Sequence, residues 1–401
     1  MIRLLLIPLL AAAAALPARQ PEPAAQPPTL IAQAMQALVD KQELAGAVTL
    51  VWSGDRLICH EAVGFQDLAS KTPMAVDSLF WIASMTKPIT ALGVMMLVDE
   101  GKLKLDAPVS EYLPEFCSQM LLKEKTADQT VLVKPARPVT IKDLLTHTSG
   151  LVGKGPLDDE ALDVLTLREA VLTYALSPLQ FEPGSKWSYC NPGINVLGRL
   201  IEVASGEEYA RFLEKRLFKP LRMKDTTFWP GQSDLKKRLA TSYKPAAGGT
   251  GLEVAPIKYL TPPFSSKKRT PLAAGGLFST AGDLLLLYRM LLNGGEWEGR
   301  RYLRAESLQL MTQNHTGELK AGFTEGMGMG LGFQVVRTPT GVTRTLSPGT
   351  YGHGGAHGTQ GWIDPVKKTI HILLIQRAGL ANGDASPMRQ AFHEAFAQMQ
   401  P

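Results

Sequence analysis

The chain has 401 residues, 45% of them apolar, and 42 Lys and Arg against 37 Asp and Glu leave a net charge of +5. That length suits two or three domains with a sizeable core and excludes a chain disordered throughout. No basic block exceeds Lys267-Lys268-Arg269, so the basic stripe of a nucleic-acid-binding protein is missing. Cys59, Cys117 and Cys190 are too few for a disulfide framework and match no zinc spacing.

Met1-Ile2-Arg3 is a short positive segment, and residues 4–16 are apolar apart from Pro8. A bilayer span needs about 20 residues, so this run is too short to cross. Ala13-Ala14-Ala15 supplies the small residues of a cleavage site, which makes residues 1–15 an expected signal peptide. Residues 16–28 are rich in Pro, Ala and Gln and read as a flexible leader. The expectation is a periplasmic or secreted protein with no stable membrane insertion after cleavage.

Leu30, Ile31, Ala34, Leu38 and Val39 recur at helical spacing after Thr29. The β-rich runs 47–52 and 56–65 flank Ser53-Gly54-Asp55, a hairpin turn. A strand-like run over 80–83 leads into an amphipathic helix over 84–100, where Pro88 is tolerated in the first turn. Helices are expected at 141–147, 159–176, 194–204 and 207–217, with a β-leaning run at 130–133. Segment 243–270 is rich in Pro, Gly and Lys and reads as a surface loop or crossover. A strong helix follows at 281–292, then β runs at 332–337, 359–363 and 369–375, and a last helix at 386–399. The β-rich segments lie at both ends, so the fold class is α/β plus all-α. One sheet domain forms from 29–101 and 271–401, and a mainly helical domain, 102–270, is inserted in it.

Ser84-Met85-Thr86-Lys87 is an S-x-x-K sequence. On a helix, residues three apart share a face, so the Lys87 amine can sit beside the Ser84 hydroxyl. A serine attacks only once a base takes its proton, and a desolvated lysine can do that. The same pattern recurs at 233–236 and 265–268, but in polar, Lys-rich stretches where a capping serine and a solvated lysine suffice. Tyr189-Cys190-Asn191 is a Tyr-x-Asn triplet. A phenol near a lysine can be held as phenolate and act as a base, and an Asn two positions on, if extended, points the same way. Alone, the triplet is equally a packed tyrosine. Residues 351–364 are dense in glycine, which lets backbone approach a ligand. A rival use of that stretch is a metal site from His353, His357 and Asp364. His60, His147, His315, His371 and His393 stand isolated and read as structural. No G-x-S-x-G and no phosphate loop in a strand–helix context occurs.

Taken in order, these residues resemble the serine β-lactamase/penicillin-binding-protein superfamily. The closest look is to its class C β-lactamase branch, with the family VIII carboxylesterases and DD-peptidase-like members. The phrases that carry the resemblance are Phe80-Trp81-Ile82-Ala83-Ser84-Met85-Thr86-Lys87, Leu144-Leu145-Thr146-His147-Thr148-Ser149-Gly150-Leu151, Trp187-Ser188-Tyr189-Cys190-Asn191, Gly275-Gly276-Leu277-Phe278-Ser279-Thr280 and His353-Gly354-Gly355. They span essentially the chain beyond residue 30. The resemblance implies a β-lactamase/transpeptidase-like fold, an antiparallel sheet flanked by helices with an inserted helical domain. It makes Ser84 the nucleophile and Lys87 with Tyr189 the base pair. The N–H groups of Ser84 and Ala356 become the oxyanion hole, and Asn191, His353, Gly354 and Gly355 meet the substrate. The family's third motif is usually Lys-Thr/Ser-Gly, and a neutral His353 in place of its lysine holds a substrate carboxylate poorly. The expectation is therefore a serine hydrolase acting through an acyl-enzyme, a carboxylesterase with weak or no β-lactamase activity. A D-Ala-D-Ala carboxypeptidase or class C-like β-lactamase is the alternative, and a catalytically inactive scaffold binding peptides or cell-wall fragments is the alternative of another class. The substrate is expected to be a small ester, amide or β-lactam, with no cofactor, no metal and no nucleic acid.

Overall fold

The computed structural model describes residues 27–158, 162–231 and 233–399. The expected signal peptide and the leader through residue 26 lie outside them. Near the N-terminus the chain forms α1 (Leu30–Asp40), β1 (Gly46–Ser53), β2 (Arg56–Asp67) and β3 (Thr72–Pro73). Thr29 caps α1 by accepting from the N–H of Ala32. Near the C-terminus come β4 (Met327–Met329), β5 (Gln334–Val336), β6 (Tyr351–Gly354), β7 (Gln360–Asp364) and β8 (Thr369–Ile375). These eight strands make one antiparallel sheet in the order β4-β5-β6-β7-β8-β1-β2-β3. The seam joining the two ends of the chain is β1 against β8, with Ala47 opposite Ile375.

Between the strand sets run α2 (Thr86–Asp99), α3 (Ile141–Leu145), α4 (Leu167–Leu176), α5 (Asn191–Ser205) and a continuous helical stretch from Tyr209 to Leu221 with a π turn inside it. Then come α6 (Ala281–Leu292), α7 (Ala305–Thr312) and α8 (Pro387–Gln398). Ile31 and Met35 of α1 meet Phe392 and Phe396 of α8 over one sheet face. The larger core holds α2, α3, α5 and α6 with the other face. Every residue of β8 is buried, as a strand covered on both faces must be.

Several expectations shift, each for a local reason. α2 is buried on all sides from Thr86 to Leu97 instead of amphipathic, because it lies between the sheet and the helical region. α4 starts at Leu167, not at 159. Thr166 and Glu169 close a capping box there, and Asp163 upstream is held out of a helix by Arg269 and Thr261. Residues 159–161 lie outside the described residues. Strands β4 and β6 depart from the sequence reading because short glycine-rich strands carry almost no alternation, and the eight-residue helix α7 is a further addition to it. Segment 243–270 is less irregular than expected, since Tyr243–Pro245 pairs with Leu252–Val254. Among the described residues no helix is long and apolar enough to cross a membrane.

Candidate active site

Ser84 lies in a 3-10 turn, Ala83–Met85, that feeds directly into α2. The residue before it, Ala83, sits at φ 45°, a left-handed conformation that costs a non-glycine residue about 1–3 kcal/mol. Neighbouring groups pin the turn. The indole of Trp81 donates to the carbonyl of Gly275 (2.7 Å), the amide of Gln376 to the carbonyl of Trp81 (2.9 Å), and the N–H of Ile82 to the carbonyl of Leu277 (3.0 Å). The hydroxyl of Thr86 donates to the carbonyl of Ala83 (2.6 Å).

Lys87 is fully buried, and its Nζ lies 3.1 Å from Ser84 Oγ and 2.6 Å from the carbonyl oxygen of Ala274. Asn195 of α5 accepts from the N–H of Ala274 (3.1 Å), which ties this backbone to α5. Among the described residues no carboxylate pairs with Lys87. Burial pushes its amine down to about 7 from an ordinary 10.5. The hydroxyl of Tyr189 donates to Ser84 Oγ at 2.7 Å, and Nζ of Lys87 stands over the Tyr189 ring, 4.7 Å from its centroid. Burial pushes the Tyr189 phenol above its ordinary value, so it is the neutral phenol near neutral pH. This differs from the phenolate that the sequence allows: Lys87 bonds Ser84 and the Ala274 carbonyl, not the phenol oxygen, and the hydrogen bond to Ser84 offsets only part of the desolvation.

On the sheet side, β6 brings His353 and Gly354 to the site, and Gly355 and Ala356 follow. The glycines answer to crowding. A side chain on Gly355 would stand 2.2 Å from Thr359 Oγ1 and 2.5 Å from the carbonyl oxygen of Ile82, and one on Gly354 would strike Asp384. Among the described residues the N–H groups of Ser84 and Ala356 donate to no other backbone group, while that of Gly355 is held by Thr359. His353 is buried with Nδ1 on the carbonyl of Gly354. Burial, then the nearby Lys87, push its imidazole below the ordinary histidine value, against a smaller opposing effect of Asp384.

Ser84, Tyr189, His353, Gly354, Gly355 and Ala356 line one cavity of about 780 Å³, within the range of small-molecule sites. Tyr259 and Phe323 supply apolar wall, so part of the expected surface loop borders the site. Lys244, Lys258 and Arg377 also line it. Lys244 pairs with Glu253, and the Arg377 guanidinium donates to the carbonyls of Glu43 and Ala378. Asn191 does not line this cavity. It opens α5 behind the cap Cys190, so the extended geometry that would aim it with Tyr189 is replaced by a helix start. His357 lines the cavity wall through a contact with Trp81, its Nδ1 on Ser242 Oγ, while Asp364 takes the N–H groups of Ser347, Val366 and Lys367. No group of three or more His, Cys, Asp or Glu that could hold a metal occurs among the described residues. Ser265 of the third S-x-x-K stands by Gly231 and Lys267, in a different depression. His147, read as structural, packs its ring on Tyr189 with centroids 4.7 Å apart.

The Beta-lactamase family profile matches residues 31–395. Esterase EstB of Burkholderia gladioli is 30% identical over 387 residues, 90% of this chain and 92% of its own length. Penicillin-binding protein 4 of Amycolatopsis lactamdurans is 34% identical over 326 residues, 81% of this chain and 78% of its own. Among solved structures, EstCE1, a hydrolase with promiscuous acyltransferase activity, superposes with a TM-score of 0.75 at 26% identity and covers 92% of this chain and 97% of its own.

Proposed function

The chain belongs to the Beta-lactamase family of serine hydrolases, and from that premise we propose that it is an exported carboxylesterase with weak or no activity on β-lactams. The observation that carries this reading is His353. By the resemblance it takes the first position of the family's usual Lys-Thr/Ser-Gly motif, and it is buried and electrically neutral near pH 7. A β-lactam or a peptide C-terminus brings a carboxylate that needs a charge-assisted partner there, and a simple ester does not. EstB is named an esterase and EstCE1 a hydrolase, which supports the same reading.

In this mechanism neutral Lys87 accepts the Ser84 proton while its own N–H stays on the Ala274 carbonyl. Ser84 Oγ attacks the ester carbonyl carbon, and the oxyanion forms against the N–H groups of Ser84 and Ala356. Tyr189, already donating to Ser84 Oγ, passes its proton to the departing alkoxide and is reprotonated from Lys87, whose Nζ meets the same Ser84 Oγ. The C–O bond breaks, the alcohol leaves and Ser84 carries the acyl group. Water then attacks the acyl-enzyme carbonyl, giving a proton to the same pair; the bond from that carbon to Ser84 Oγ breaks, the serine oxygen takes the proton back from the pair, and the acid leaves. Asn191 contacts the acyl group only if the start of α5 shifts when substrate binds.

The test is a parallel panel of p-nitrophenyl esters, nitrocefin and a D-Ala-D-Ala peptide, with fluorophosphonate labelling. Ester turnover well above the other two, with labelling and turnover lost in Ser84→Ala at unchanged melting temperature, is the expected result. Nitrocefin or peptide turnover exceeding that of the esters would overturn it. Export is tested by the mass of the mature N-terminus recovered from outside the cytoplasm, expected to lack residues 1–15.

A further inference from the structure

His147 grips the chain on both sides of Tyr189. Its carbonyl accepts from the N–H of Ser188 (2.9 Å) and its Nδ1 from the N–H of Cys190 (3.1 Å). The residue gripped between them is Tyr189, and the imidazole lies against its ring at 4.7 Å and 40°. Two acceptors on one residue reach two alternate N–H groups only because the backbone of His147 turns left-handed, φ 59°, just past the end of α3. The next residue extends the contact, for the Thr148 carbonyl accepts from the N–H of Gly184 (2.8 Å). Phe323 presses on Tyr189 with ring centroids 4.8 Å apart.

We propose that His147 is a positioning residue for Tyr189, a two-point clamp that holds the phenol on Ser84 Oγ. The proposal rests on the reading of Ser84 and Tyr189 as the reacting pair. It makes a chemical demand. An Nδ1 that accepts must carry no proton, so the ring is the neutral Nε2–H tautomer. Lys87, His353, Tyr189 and Cys190 are the titratable groups around it. Burial, then Lys87 and His353, hold His147 well below the ordinary histidine value, in keeping with that demand.

Two substitutions separate a clamp from mere packing. His147→Asn puts a carbonyl where Nδ1 was, and Asn tolerates left-handed backbone. His147→Gln carries its carbonyl one bond further out, where Nε2 was. The readouts are the rate of fluorophosphonate labelling of Ser84 and the split of kcat from KM on an ester. His147→Asn should stay within about threefold of wild type. His147→Gln should lose roughly 10²-fold in labelling rate and kcat, the scale of a 1 Å misplacement, with KM nearly unchanged. In a Tyr189→Phe background the Gln effect should shrink to within about threefold, because the hydroxyl being placed is gone. Labelling of His147→Gln at the wild-type rate, or a loss in His147→Asn as deep as in His147→Gln, overturns the clamp. So does a Gln effect that persists undiminished in Tyr189→Phe. The nitrogen chemical shifts of His147 in unmutated protein give a reading independent of any variant's folding: Nε2–H is expected at pH 7, and Nδ1–H or an imidazolium overturns the proposal. Labelling needs only an activated serine, so failure of the esterase reading leaves this test standing. Labelling that survives Ser84→Ala would instead overturn the site itself.

Discussion

Two of the buried cations, Arg269 and Lys87, are treated in opposite ways. Arg269, 4% exposed, has its Nε 2.6 Å from Asp163, itself 0% exposed, and its Nη1 donates to the carbonyls of Phe228 and Phe264. Asp163 further accepts from the N–H and hydroxyl of Thr261. Lys87, equally buried, has one carbonyl, one serine hydroxyl and the face of a phenol. The ion pair knits residues far apart in the chain. The lone lysine is left uncompensated, and that is what brings its amine into the range where a base is useful. A buried charge with a full set of partners is architecture, and one denied its partner is a candidate for chemistry.

Removing each charge breaks the comparison most directly. Lys87→Met keeps the length of the side chain and deletes the amine. Acylation should fall by about 10²–10⁴, the usual worth of a general base. The melting temperature should rise, since a desolvated amine no longer has to be buried, by about 1–2 °C for each kcal/mol regained in a chain of this length. Stopped-flow acylation and a thermal melt on the same preparation check both signs. A variant that is less active and also less stable would mean Lys87 is part of the architecture after all.

Asp163→Asn is the converse. It leaves the Arg269 guanidinium buried beside a neutral amide, and losing one partner of a buried pair costs about 3–5 kcal/mol. Denaturant unfolding should show that loss, while the folded fraction still labels at Ser84. A loss under about 1 kcal/mol, the scale of an exposed pair, would place Asp163 and Arg269 at a wetter site than described.

These two cations also differ in how far the sequence reveals them. Ser84 and Lys87 lie three apart at the junction of an apolar strand-like run and an apolar helix, so local pattern alone sets them beside each other. The pair Asp163 and Arg269 is separated by more than a hundred positions in loops without periodicity, and nothing local links them. The same holds across the fold. Helix α1, the β1–β2 hairpin, α6 and β8 follow the apolar spacing closely, whereas β4 is three residues long and glycine-centred, and so leaves no alternation to read. At the site, His147 was missed as a working residue because its grip on Tyr189 depends on a left-handed turn and a contact 43 positions away. Asn195, which holds the N–H of Ala274 beside Lys87, looks from the sequence like any polar residue inside a helix.

The subtlest consequence of an unpaired Lys87 is its response to pH, and here activity and stability should move together. With the amine near 7, lowering the pH through that value protonates the base, so kcat/KM should fall about tenfold for each unit below it. His353 stays neutral across this limb because burial lowers it, and burial raises Tyr189 out of the range, so neither should add an inflection between pH 6 and 9. For stability, the lysine is held near 7 in the folded chain and returns to 10.5 on unfolding. Between those values the unfolded chain binds the extra proton, so this group makes stability rise with pH across the window. Below 7 the cost of the buried charge is present in full, and above 10.5 it is gone. Subtracting the unfolding free energy of Lys87→Met from that of wild type at each pH isolates the lysine. The difference should climb from pH 7 to 10 as kcat/KM climbs from pH 5 to 7. A flat difference, with the acid limb still present, would show that a group other than Lys87 is the proton acceptor.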